Sequence, residues 1–75
     1  MNEPVSYDPS TDSMYVKIRP DASVRQRLDE TREVIIDIGA DGDPVGYDIQ
    51  FASKHPDVIA EALALLQRVP RAAAE

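Results

Sequence analysis

The chain has 75 residues, a mass of 8.3 kDa and no cysteine, so it forms one small domain without disulfides or a thiolate zinc site. Fourteen acidic residues against eight basic ones give a net charge of -6 and a pI near 4.5, which favours a basic partner over nucleic acid. No apolar run approaches the ~20 residues of a membrane span, and no basic segment followed by an apolar one opens the chain, so a cytoplasmic protein without a membrane role is expected.

Size alone raises the question of assembly. Burying the apolar surface of such a chain contributes about 110 kcal/mol, and ordering it at ~1.5 kcal/mol per residue costs about the same. Burial between subunits would tilt that balance, so a homodimer or higher homo-oligomer is expected.

The apolar pattern has two regimes. Residues 5–51 alternate at the period of a strand, and residues 56–69 follow the period of a helix. The charge divides at nearly the same place: residues 1–51 hold 11 acids and 5 bases, whereas residues 52–75 are neutral.

Val5 to Asp8 is the first strand, and Pro9-Ser10-Thr11-Asp12 is a turn in which Asp8 accepts backbone N–H bonds. Met14 to Arg19 alternates, with Met14, Val16 and Ile18 inward and Tyr15, Lys17 and Arg19 outward. Ser23 to Glu30 reads as an edge strand, with Val24 and Leu28 inward and Arg25, Arg27 and Asp29 outward.

Glu33 to Ile38 is the strongest strand, with Val34, Ile36 and Ile38 on one face. The Asp41-Gly42 turn leads into Val45, Tyr47, Ile49 and Phe51, alternating with Gly46, Asp48 and Gln50. Ser53 or His55 caps a helix opened by Pro56 and Asp57 and ended by Pro70, and residues 70–75 are a frayed tail. The expected fold is a single α+β domain, an antiparallel meander of four to five strands with one C-terminal helix on its apolar face. Leu63, Leu65 and Leu66 span more of the helix than a small sheet covers, and with the outward Tyr15 they form the expected subunit interface.

Tyr7-Asp8-Pro9-Ser10-Thr11-Asp12-Ser13-Met14-Tyr15-Val16 resembles the opening of the small bacterial family called domain of unknown function 2283. Glu33-Val34-Ile35-Ile36-Asp37-Ile38, Asp41-Gly42, Val45-Gly46 and Ala52-Ser53-Lys54 continue the likeness, which covers about residues 5–54. No one motif is specific, but their order and spacing together are. The chain departs from the family at Tyr47-Asp48-Ile49-Gln50 and in its longer helix after Lys54. The resemblance implies a compact β-rich cytoplasmic protein and supplies no catalytic residue. It also implies, by association with neighbouring small toxin-like proteins, an antitoxin or other partner-binding role.

Chemistry-bearing residues are few. Asp37, Asp41, Asp43 and Asp48 follow a calcium-loop spacing in part, but Gly39 stands where a ligand is needed and Asp48 replaces the usual Glu. An acidic hairpin turn is the simpler reading, so neither a metal nor a cofactor is expected. Asp8 and Asp12 could act as an acid/base or metal pair, and their structural reading is a turn cap and a strand start. His55 has no serine in a nucleophile-elbow context and reads as a helix-start residue. Lys17, Arg19, Arg25 and Arg27 would share the outer face if both strands alternate as read, but Glu33, Asp37 and Asp48 on that face make nucleic-acid binding unexpected. These residues point to a non-enzymatic, self-associating protein-binding module with a basic partner. A metal-dependent or accessory enzyme using Asp8, Asp12 and the Asp41 turn is the alternative.

Overall fold

A computed structural model describes residues 3–68. Five strands form one antiparallel sheet: β1 (Val5–Asp8), β2 (Ser13–Lys17), β3 (Arg25–Asp29), β4 (Val34–Ile38) and β5 (Pro44–Ile49). A 3-10 turn at Ala52–Lys54 leads into helix α1 (Pro56–Arg68). The α+β class and the single helix agree with the sequence pattern. Val69, Pro70 and the proposed tail lie outside the described residues.

The strand order is β1-β2-β5-β4-β3, which is not a sequential meander. β2 lies beside β5, and the chain then crosses to the far edge to form β3. Apolarity accounts for this order. Val16 is fully buried in β2, and Val34, Ile36, Val45, Tyr47 and Ile49 are buried in β4 and β5, so these strands need neighbours on both sides. β3 carries three charges in five residues and stays at the edge.

The crossover is pinned at the β4–β5 turn. Ile18 and Arg19 both donate their N–H to the Val45 carbonyl, and Val24 N–H bonds to the Ile38 carbonyl. The Arg19 guanidinium forks onto the Asp41 carboxylate at 2.9 and 3.0 Å. That fork holds the Asp41 carboxyl down to about 2, aided by the Asp43 backbone N–H. Gly42 closes the turn at φ 89°, a conformation that glycine adopts freely.

α1 lies chiefly over β2 and β5. Val58 and Ala62 are fully buried beneath it, and Ile59, Leu63, Leu65 and Leu66 pack around the same cluster. Pro56 suits the first helical turn, where an N–H would have no partner, and the His55 carbonyl accepts the N–H groups of Val58 and Ile59. Among the described residues no helix is long and apolar enough to cross a membrane.

Two expectations are corrected. Phe51 does not continue the alternation into the core: β5 ends at Ile49, and Phe51 turns out at φ 50° with 47% of its surface exposed. Its ring instead carries the Lys54 ammonium at 5.4 Å. The phase of β3 is also reversed. Its register pairs Arg25 with Ile38, Arg27 with Ile36 and Asp29 with Val34, so these charged residues share the helix-bearing face. Leu28, paired with Ile35, lies on the outer face and is 58% exposed, and Val24 beyond the strand is 61% exposed. The tight turn after β3 sets this phase: Asp29 receives the Arg32 backbone N–H and its guanidinium Nε, which holds the carboxylate on the side of α1.

Candidate functional site

Besides the Arg19–Asp41 fork, three side-chain networks join distant parts of the chain. The first lies under α1. Tyr47 Oη donates to Glu61 at 2.5 Å, and Arg32 reaches the other Glu61 oxygen at 2.6 Å while holding Asp29 at 2.8 Å. Arg32 and then Tyr47 hold the Glu61 carboxyl below its ordinary range. Burial, followed by the bond to Glu61, pushes the Tyr47 phenol up. The network ties the middle of the helix to β5 and to the β3–β4 turn.

The second network crosses the outer face. Tyr15 Oη donates to Asp37 at 2.8 Å, and Gln26 Nε2 donates to the other Asp37 oxygen at 2.9 Å. Gly46 lies between Lys17 and Asp37 in the sheet register. A Cβ there would collide with Tyr15 Oη and lie 2.8 Å from its Cζ. Burial and then Asp37 push the Tyr15 phenol up to about 12.

The third network gathers the sheet end next to α1. Asp12, Glu33 and Phe51 have left-handed φ values of 55°, 55° and 50°. The Asp12 carbonyl accepts the Ala52 N–H, and the Glu33 carbonyl accepts the Gln50 N–H, so the exit of β5 is held from both flanks. The same two residues use their side chains on the segment leading to α1. Asp12 accepts Ser53 Oγ at 2.6 Å and the Ser53 N–H, and Glu33 meets His55 Nε2 at 2.8 Å. Tyr7 Oη completes the Asp12 set at 2.8 Å. Ser53 and then Tyr7 hold the Asp12 carboxyl below its usual range.

These networks place the residues singled out in the sequence. Asp8 caps its turn through the Ser10 N–H and hydroxyl, but Asp12 reaches far beyond a local turn to Ser53. His55 stands at the start of α1 and is paired with Glu33. The carboxylates of the alternative enzyme reading do not converge: Asp8 and Asp12 flank the β1–β2 turn, and Asp41 sits on the β4–β5 turn at the opposite sheet end. The calcium spacing is likewise dispersed, with Asp37 on Tyr15 and Gln26, Asp41 on Arg19, and Asp48 on Gln50. Among the described residues no group of three or more His, Cys, Asp or Glu side chains gathers as a metal site.

The basic stripe is split, because Lys17 is on the outer face while Arg25 and Arg27 are on the helix-bearing face. Tyr15 is half-buried within its own sheet, and Leu63, Leu65 and Leu66 keep partial exposure while packing on the core. Sequence reading places β3 at a sheet edge, as found, but misses which of its faces turns toward α1. Its signal was Asp29 three residues before Arg32, a pair that closes a turn and fixes which way Asp29 faces.

The chain matches the family model described as Protein of unknown function (DUF2283) over residues 5–53. The chain belongs to this family. The DUF2283 match takes in all five strands and ends at Ser53, the residue that Asp12 binds, while α1 follows it. Searches of curated proteins and of solved structures returned no match.

Proposed function

We propose that this DUF2283 chain is a non-enzymatic protein-binding module that associates with copies of itself. The observation supporting this reading is the β3 edge. Val24 at 61% and Leu28 at 58% are the most exposed large apolar side chains among the described residues; Leu28 lies in β3 and Val24 directly before it, and this strand has a neighbour on one side only. Isolated exposed apolar residues are ordinary, but a row of them on an open edge is a template for another strand.

The net charge of -6 supports a second partner of opposite sign, a small basic protein of the kind an antitoxin neutralises. Sedimentation equilibrium of the full chain from low to high micromolar concentration tests self-association. A concentration-dependent rise to the dimer mass is expected, and a monomer mass throughout overturns it.

A further inference from the structure

We propose that the self-association surface is the β3 edge and that its occupant is β3 of a second copy, antiparallel about a two-fold axis at Leu28. The inference rests on the self-association reading and adds the surface and register. A symmetric antiparallel joint keeps both helix-bearing faces on one side of a continuous sheet when the axis passes through a residue, so that each side chain opposes one of the same face.

Charge then selects among the five positions of the strand. An axis through Arg25, Arg27 or Asp29 sets that charge against its own copy, and one through Gln26 sets Arg25 against the partner's Arg27. Like charges directly opposed across strands are destabilising. The axis through Leu28 alone avoids them. It opposes Arg27 to the partner's Asp29, twice by symmetry, and brings Leu28 against the partner's Leu28.

Both faces of the edge fit this register. On the outer face Leu28 is already beside Ile35, so the joint makes a continuous apolar row across the two sheets. On the other face Asp29 and Glu61 share one cation, Arg32, which leaves one negative charge in excess. Arg27 has no ion-pair partner among the described residues, and from a second copy it would neutralise that excess. α1 lies chiefly over β2 and β5, which leaves β3 open to a neighbour on the helix-bearing side. The ladder within the strands is short, so the dimer dissociates on dilution rather than being permanent.

The test is a charge swap in the full chain, read by sedimentation equilibrium. Arg27→Glu and Asp29→Lys each set like charges across the joint and are expected to be monomeric where wild type is dimeric. An equimolar mixture opposes the introduced glutamate to the introduced lysine and is expected to restore the dimer mass. Because Asp29→Lys also removes a partner of Arg32, circular dichroism checks its fold. Leu28→Glu, which leaves that network intact, is expected to be monomeric as well. Independently, mixed isotope labelling of wild type is expected to give intermolecular NOEs between Leu28 methyl groups. A wild-type dimer that survives Arg27→Glu and Leu28→Glu overturns this surface while leaving self-association standing. A wild-type monomer overturns both.

Discussion

Tyr15 donates its phenol to Asp37 across the backbone of Gly46. The contact exists because residue 46 has no Cβ, so the tyrosine ring can lie on the sheet and span a whole strand. Gly46→Ala should therefore cost about 1–3 kcal/mol, by crowding the ring or expelling it. In a Tyr15→Ala background the same change should cost clearly less, since the ring it displaces is gone. Chemical denaturation of the four proteins checks this, and an additive cycle would refute the account.

The Tyr47–Glu61 bond should decide how firmly α1 stays on the sheet. Tyr47→Phe leaves Glu61 with Arg32 and should cost about 1 kcal/mol, because Glu61 keeps partial access to water. Glu61→Leu removes the acceptor for both Tyr47 and Arg32 and should cost more. Amide hydrogen exchange should show the loss concentrated in α1, with β4 and β5 the last to open.

Stability should fall at both ends of the pH scale for opposite reasons. The Asp41 carboxyl titrates at 3.8 when unperturbed and at about 2 beside Arg19, so its contribution is present above pH 3.8 and is lost as pH falls toward 2. Asp8, Asp12, Asp29 and Glu61 are lowered as well and act in the same direction. Tyr15 moves the other way, from 10.0 to about 12, so its contribution is present below pH 10 and is lost as pH rises to 12. Melting temperature against pH should decline in both windows. Tyr7 and Tyr47 are raised as well, so Tyr15→Phe should lessen the alkaline decline without abolishing it and leave the acid one unchanged.

Asp12 should tolerate asparagine better than alanine. Its φ of 55° suits a short polar side chain, and asparagine retains an acceptor for Ser53. Alanine loses both, so the melting temperature should fall in the order wild type, Asp12→Asn, Asp12→Ala. An alanine variant as stable as wild type would remove Asp12 from the account of how α1 is attached.

Much of this architecture was legible in alternation. Val34, Ile36 and Ile38 against Val45, Tyr47 and Ile49 identified the central hairpin, because a half-buried strand must place its apolar residues at a period of two. β3 resisted the same logic. Its apolar residues point outward, because the Asp29–Arg32 turn sets the phase and an edge strand has too little burial to overrule it. The β1–β2 sequence leaves Asp8 and Asp12 open between a turn role and an acid/base or metal pair, and nothing local shows that Asp12 reaches Ser53, since that bond depends on β2 lying beside β5. Phase alone places Tyr47 inward, whereas its bond to Glu61 depends on the rotation of the helix. Parity with Ile49 predicts Phe51 in the core, yet its left-handed backbone breaks the alternation.

The paired grip of Asp12 and Glu33 on the exit of β5 bears on the order of assembly. Asp12 precedes β2 and Glu33 precedes β4, so the socket that receives residues 50–55 forms when those strands take their places on either side of β5. α1 inherits its starting point from two distant parts of the chain, and its attachment reports that the sheet is complete. A sheet with β2 or β4 out of place would leave the helix its apolar stripe but no fixed point from which to lay it down.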